Sequence, residues 1–333
     1  MTITSEIFNQ DCIAGMEEHV PNDFVHCTVT SIPFEELFTY SGKLEDVGNN
    51  GSTVDIVAGR FALNMAFVIA QLYRVTVPGG NVCIHIQQLL AYKNQHGFSG
   101  RRDFRGAMIQ AFTRGGEIAH HDMDESTGEV MPVVRPSTGG GFRFIGEFII
   151  PKDPQAMAQR LNLHSLQFKT GYARNSCNLA PAVNDYVLIF QKPGEHPDPP
   201  RSIYHAQKNP DGWITTEDWI KWASGVWHDI DEFDIIDGAR SAREHDEEKH
   251  VCPLQLEVIR RLVKLYTKPG HLVLDPFMGV GSTAAVAIEL DRHSLGFELK
   301  ESYHANAIKN VQRSRNARAV LSANARTLFE AVA

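Results

Sequence analysis

The segment His271-Leu-Val-Leu-Asp-Pro-Phe-Met-Gly-Val-Gly-Ser-Thr283 constrains the fold of this chain more than any other. Three apolar residues lead into Asp275 and a Gly-x-Gly turn, and the helix-prone stretch Ala284-Ala-Val-Ala-Ile-Glu-Leu290 comes next. A buried strand, a tight turn and a helix in that order build a nucleotide-type site at the carboxyl edge of a parallel sheet. Gly279 and Gly281 permit close backbone approach to a ligand, and the helix opening at Gly281 offers free N–H groups. No Lys-Ser or Lys-Thr follows the glycines, which disfavours a triphosphate-binding loop. A second strand, Ser294-Leu-Gly-Phe297, ends in Glu298, where a carboxylate can accept hydrogen bonds from ribose hydroxyls.

The opposite end of the chain carries a matching signal. Phe24-Val-His-Cys-Thr-Val-Thr30 reads as another strand, and it runs into Ser31-Ile32-Pro33-Phe34. With these two segments the chain resembles the DNA methyltransferases that modify exocyclic amino groups. In that family a strand ends in (Asp, Asn or Ser)-Pro-Pro-(Tyr or Phe), and the cofactor motif reads Asp-Pro-Phe-x-Gly-x-Gly. Ile7-Phe-Asn-Gln-Asp-Cys12 is similar to the family segment whose acid lies beside the cofactor's adenine. Lys249-His250-Val-Cys-Pro253-Leu-Gln255 is similar to the one before the last methionine-site helix, and Asp185 to Pro193 to the late sheet hairpin. The catalytic tetrapeptide comes first and the cofactor loop last, which resembles the circularly permuted beta class, phage-encoded orphan members included.

The resemblance implies a doubly wound α/β fold, a mostly parallel class I methyltransferase sheet, with a small target-recognition module. It implies S-adenosylmethionine as cofactor and DNA as partner. Asp275 would face the cationic methionine end, Glu298 the ribose and Asp11 the adenine amino group. Phe277 would pack along the adenosyl group, and Ser282 and Thr283 would cap the helix and touch the methionine carboxylate. His250 joins the cofactor side through its segment. Single acids after strands also serve as plain helix caps, and for Asp11 that reading competes.

An exocyclic amino nitrogen is a poor nucleophile because its lone pair is delocalised into the ring. Methylation therefore needs acceptors for the two amino hydrogens and an in-line donor at near-attack distance. By resemblance the Ser31 hydroxyl and the Ile32 carbonyl are those acceptors, Pro33 fixes the turn and Phe34 stacks on a flipped base. Ile32 departs from the family's proline: it keeps the carbonyl, restores an N–H and loosens the turn. Serine at the first position leans toward cytosine N4 over adenine N6. The rivals are a methyltransferase acting on RNA or a protein glutamine, and a catalytically silent DNA- or cofactor-binding subunit.

The 333 residues suffice for one large α/β domain with a smaller appended module. The expected division is a catalytic half over 1–116, a surface insertion over 117–143 and the end of the sheet over 144–193. A target-recognition module would occupy 194–248, and the cofactor-binding half 249–333. Within this frame the apolar spacing predicts a helix over 55–77 that stops at Pro78-Gly-Gly80, a strand over Asn81–Ile86 and a helix over Asp103–Arg114. Trp213, Trp219, Trp222 and Trp227 fall in the module, though each taken singly reads as core or helix packing.

A net charge of −8 argues against nucleic-acid binding when taken alone, but its distribution matters more. Residues 71–114 carry six basic residues against Asp103 alone, and Arg101, Arg102 and Arg105, with Lys169 and Arg174, are the candidate phosphate contacts. The scattered cysteines 12, 27, 83, 177 and 252 suggest reduced, mostly buried thiols. Neither a metal site nor a membrane span is expected, and a cytoplasmic location follows. A homodimer is expected only by analogy with the family, since no surface in the sequence demands one.

Overall fold

The computed structural model describes residues 3–33, 47, 60–98, 100–123, 126–128, 130–155, 157, 181–200, 214–237 and 253–332. At its centre is a seven-stranded sheet: β1 (Ser5–Phe8), β2 (Val25–Ser31), β3 (Thr76–Gln87), β8 (Arg143–Ile150), β9 (Asp185–Gln191), β10 (Leu272–Asp275) and β11 (His293–Phe297). Their order across the sheet is β1-β11-β10-β2-β3-β9-β8. The pairings from β1 to β3 are parallel, and β9 runs antiparallel to both β3 and β8. The fold is thus α/β with a mostly parallel sheet, as the strand–turn–helix signals require.

The central strands are apolar on both faces because helices cover both. One face sets Val82, Ile84, Ile86, Leu188, Phe190, Leu272 and Leu274 against α1 (Cys12–His19), α2 (Arg60–Val75) and α4 (Phe104–Arg114). The alternate residues Cys27, Val29, Cys83, Val187, Ile189 and Val273 face α6 (Leu256–Tyr266) and α7 (Ser282–Glu289). The period of two along each strand therefore sorts side chains into two cores, one above and one below the sheet. The long helix α8 (Glu301–Val332) packs on α7 through Ala307 and Val311.

Local chemistry explains the helix boundaries. Asp11 caps α1 by accepting from Ile13 N and Ala14 N, both at 2.9 Å. Asp103 does the same for α4 through Gly106 N, and Gly115 ends that helix with φ 83°. The helix expected over 55–77 is described from Arg60 and ends at Val75. The strand after it starts earlier than the sequence predicts, because β3 begins at Thr76 and runs through Pro78-Gly79-Gly80. Val25 pairs with Thr76 while Cys27 pairs with Asn81, so the Pro-Gly-Gly segment swells out of the ladder as a bulge. Gly79, at φ 73°, permits it, where a side chain would meet the backbone of His196.

The insertion expected over 117–143 contains an antiparallel pair, β6 (Glu117–Met123) with β7 (Val130–Pro136). A second small pair, β4 (Leu89–Ala91) with β5 (Gly100–Arg102), flanks the short helix α3 (Lys93–His96) just beyond the end of β3. Among the described residues, no helix is long and apolar enough to cross a membrane. The three described cysteines, Cys12, Cys27 and Cys83, are buried free thiols.

Part of the segment expected to form a separate module is built into the core. It holds α5 (Thr216–Trp222), and Val226 bridges Ile149 at the tip of β8. Trp222 and Trp227 are buried, and the latter stacks on Phe148 with ring centroids 4.3 Å apart. Trp219 is the exposed one, and Trp213 lies outside the described residues. Arg261 of α6 ties the segment down: it grips Asp229 at 3.0 and 2.7 Å and lies over both Trp222 and Trp227. Arg261 is 2% exposed, so removing it opens a cavity and leaves Asp229 to Lys221 alone. Arg261→Ala should cost about 2–4 kcal/mol of stability, from a broken ion pair and lost cation–π packing. Urea unfolding checks this, and a loss under about 0.5 kcal/mol would contradict it.

Candidate active site

The carboxyl ends of β10 and β2 lie side by side, since Val273 pairs with Cys27 and Leu274 with Thr28. Parallel pairing at this register brings the Gly-x-Gly loop beside Ser31 at the end of β2, although more than two hundred residues separate them. The junction is a hydrogen bond: Thr30 Oγ1 donates to Asp275 Oδ1 at 2.6 Å. Asp275 also accepts from Phe277 N at 3.0 Å, which closes the turn after the strand.

Asp275 is buried, with no cation paired to it among the described residues. Burial pushes its carboxyl up to about 6, and hydrogen bonds from Thr30, Thr283 and the Phe277 N–H only partly offset that. A carboxylate held this way favours a bound cation. The loop beyond it is open-handed by construction. Gly279 and Gly281 have φ 55° and 91°, and a Cβ on Gly281 would press on the Ala307 backbone. Ser282 and Thr283, both buried, form the first turn of α7 without the expected side-chain cap, and the single Thr283 hydroxyl lies between Asp275 and Val29 O, 3.3 Å from the latter.

Glu298, just past β11, accepts from Gly279 N at 2.8 Å and from Lys300 N at 2.8 Å. It sits against the glycine turn, on the side its position after β11 predicts. Asp11 acts as the cap of α1, the structural role its spacing allows. The buried Cys12 thiol reports where these acids converge. Desolvation raises it well above its ordinary value, and Asp11, Glu298 and Asp275 each add to the rise. Three carboxylates thus surround one corner of the fold, with Phe277 half-buried beside them.

Of the tetrapeptide, Ser31 ends β2, the Ile32 side chain is buried in the core and Pro33 is half-buried. The Ile32 side chain is thus buried at the position where the resembling family carries a proline. Phe34, His250, Lys169 and Arg174 lie outside the described residues.

The structure adds residues that motif reading missed. Ser31 Oγ lies 2.9 Å from His85 Nδ1, and His85 Nε2 lies 3.1 Å from Asp185 Oδ2. Asp185 in turn receives Lys152 Nζ at 2.7 Å and Gln87 Nε2 at 2.9 Å. Burial raises the Asp185 carboxyl, but His85 and then Lys152 outweigh it and hold it below its ordinary value. The only sequence signals were a histidine inside the apolar strand Asn81–Ile86 and an acid opening the strand at 185.

The basic candidates divide. Arg101 and Arg102 sit on β5, beyond the carboxyl end of β3, and Arg101 Nη2 donates to Pro181 O. Arg105 is engaged within the fold, gripping Glu147 at 2.5 and 2.7 Å.

Comparison with known proteins agrees with this architecture. A family model described as DNA methylase, for N6 and N4 methyltransferases, matches residues 25–309. The chain is 34% identical over 129 residues to the Type II methyltransferase M.BglI of Bacillus subtilis, covering 38% of this chain and 30% of that protein. It is 24% identical to M.Cfr9I of Citrobacter freundii over 92% of this chain and 87% of that one. The alignments to the first curated relatives thus span about a third of their length, 30% of M.BglI and 35% of M.MjaI of Methanocaldococcus jannaschii. Among solved structures, the putative DNA modification methylase TTHA0409 of Thermus thermophilus, complexed with S-adenosyl-L-methionine, superposes with TM-score 0.59 at 19% identity, covering 93% of this chain and 94% of that one. The cytosine-N4-specific PvuII DNA methyltransferase superposes with TM-score 0.55 at 17% identity, covering 93% and 87%. Both share the fold.

Proposed function

The chain belongs to the N6/N4 DNA methylase family, and on that premise we propose that it transfers a methyl group from S-adenosylmethionine to an exocyclic amino nitrogen of a DNA base, cytosine N4 or adenine N6. The observation that carries this reading is the Thr30–Asp275 hydrogen bond, which locks the Ser31 turn beside the glycine loop. One edge of the sheet can then hold a cationic cofactor and a planar amino group side by side.

The residues fit the cofactor. Asp275 supplies a buried negative charge without a resident cation among the described residues, and Glu298 and Asp11 offer acceptors at the same corner. Gly279 leaves room at the turn, Gly281 lets α8 pack close through Ala307, and Phe277 provides an apolar wall. When bound, S-adenosylmethionine supplies a methyl group on a sulfonium. The protein's own work is to place the acceptor nitrogen: Ser31 Oγ and the Ile32 carbonyl take its two hydrogens, and Phe34 stacks on the flipped base.

The finer reading is that the chain is a permuted member, with the tetrapeptide before the cofactor motif. Insertion of β10 and β11 between β1 and β2 supports it. Arg101 and Arg102, beyond β3, would meet backbone phosphates, with Lys169 and Arg174 added from the segment after β8. Target recognition would fall to 194–248, a cytoplasmic setting suits such an enzyme, and a homodimer stays a matter for sedimentation.

Incubation with unmethylated DNA and S-adenosylmethionine, then nucleoside mass spectrometry, tests the activity. N4-methyl-2′-deoxycytidine or N6-methyl-2′-deoxyadenosine is the expected product and names the base. Methyl transfer to RNA or protein alone would overturn the DNA reading, and cofactor binding with no transfer would mark a silent subunit. For the phosphate contacts, an Arg101→Ala/Arg102→Ala double variant should lower DNA affinity and reduce the slope of log K against log salt by about 1–2. An unchanged slope would move the phosphate contacts elsewhere.

A further inference from the structure

We propose that Ser31, His85 and Asp185 form a proton path out of the target amino group, with His85 as the base that acts through the Ser31 hydroxyl. This inference rests on the DNA-methylation reading and concerns how that reaction sheds its proton.

Strand register sets the geometry. Ser31 pairs with His85 across β2 and β3, so both side chains share a face of the sheet. Asp185 pairs with Gln87 across β3 and β9, two residues beyond His85 and on the same face. His85 and Asp185 are both buried. Lys152, which comes after β8, has a side chain only 10% exposed and closes the row. A line of four polar groups in an apolar sheet needs an explanation, because each is costly to bury without a use or a partner.

Valence fixes the proton positions. Asp185, held below its ordinary value, accepts only, so in the proposed path the imidazole facing it bears its proton on Nε2, 3.1 Å from Oδ2. Nδ1 is then an acceptor, and Ser31 O–H donates to it across 2.9 Å. That donation fixes the hydroxyl rotor and leaves the Ser31 lone pairs turned to receive an amino N–H. A serine can thereby serve where other family members carry an acid.

Atoms and charges balance in the transfer. The amino nitrogen forms its bond to the methyl carbon, and the carbon–sulfur bond breaks with its electron pair going to sulfur. The nitrogen gives a proton to Ser31 Oγ while the Ser31 proton passes to His85 Nδ1. The product is a neutral methylamino group and an imidazolium paired with Asp185. Among the described residues, Asp185 on β9 and Lys152 after β8 bring charge toward His85, with Ser31 and Gln87 as neutral neighbours and Asp275 one strand further on, through Thr30. Lys152 sets a positive charge against Asp185 at rest. The proton returns to solvent through Ser31 once the methylated base withdraws.

His85→Asn is the informative variant, because its amide oxygen can stand near Nδ1 and hold the Ser31 hydroxyl but cannot take a proton. Its single-turnover rate on DNA should fall about 100-fold or more, in the range of general-base loss. S-adenosylmethionine affinity and KM for DNA should stay within about threefold. Independently of activity, long-range 1H–15N spectra at pH 8 should show His85 with its proton on Nε2. A proton on Nδ1 of the parent's His85, or a His85→Asn rate within threefold of the parent, would overturn the path while leaving DNA methylation standing. Failure of the unsubstituted protein to methylate any DNA would overturn both.

Discussion

Asp275→Asn is expected to strengthen the ligand-free fold at pH 8 while weakening its hold on S-adenosylmethionine by about 30- to 1,000-fold. The affinity loss corresponds to about 2–4 kcal/mol, the scale for removing a buried charged partner from a cationic ligand. The stability gain has the opposite origin. Burial raises the Asp275 carboxyl from 3.8 to about 6. Below about pH 4 both folded and unfolded chains hold that proton. Between about 4 and 6 only the folded chain does, so folding takes up a proton and rising pH erodes stability. Above about 6 the whole penalty is present, on the order of 3 kcal/mol. Asparagine carries no such penalty, so the variant should gain about 1–2 kcal/mol at pH 8, less than the full amount because its amide N–H groups also need partners. At pH 4 the two proteins should unfold alike. Calorimetric titration and urea unfolding at both pH values check the pair of effects. Equal cofactor affinity in the variant would show that Asp275 faces something other than the cation.

The second large effect is expected at Ser31. Ser31→Ala removes one of the two acceptors for the amino hydrogens and cuts the path to His85 at its first atom. Single-turnover methyl transfer should fall by about 100- to 10,000-fold, the combined scale of a lost electrostatic contact and a lost base. The Thr30–Asp275 hydrogen bond is untouched, so S-adenosylmethionine should bind within about twofold of the parent. A variant that transfers within tenfold of the parent would remove Ser31 from the chemistry. Combining Ser31→Ala with His85→Asn should cost little more than Ser31→Ala alone, since both act on one route.

Legibility in the sequence tracks locality. Asp275, Gly279, Gly281 and Glu298 lie within two successive strand–turn units, where each residue's part is set by its near neighbours, and the fold brings them together. Ser31 is visible because a proline turn after an apolar run is a local signal. His85, Asp185 and Lys152 are not recognisable as a group, because only the register of β2, β3 and β9 brings them into line. The β6–β7 pair is hidden for another reason: Pro132 and Pro136 lower the strand signal, yet an edge strand tolerates residues without an N–H. The start of β3 is misplaced in the sequence because Pro78-Gly79-Gly80 reads as a stop, whereas a bulge carries the strand through it. Arg105 looks available to DNA until its partner Glu147 comes in from the neighbouring β8.

The sheet order β1-β11-β10-β2 has a consequence for biosynthesis. The first two strands to leave the ribosome are not neighbours in the finished sheet, because the last two strands must slip in between them. Among the described strands β1 pairs with β11 alone, across a sequence gap of 289 residues from Ser5 to Ser294. Such distant pairing is slow, since the entropy of closing the loop is met before its contacts form. The nascent chain therefore carries a gap at the centre of its future sheet until the glycine loop has been translated. The corner where the three carboxylates meet comes into being at the same moment. A chain interrupted before residue 297 can hold the Ser31 turn and its proton path, yet it lacks the strand pair that joins them to the acidic corner, so a stalled product has no means of engaging the cofactor.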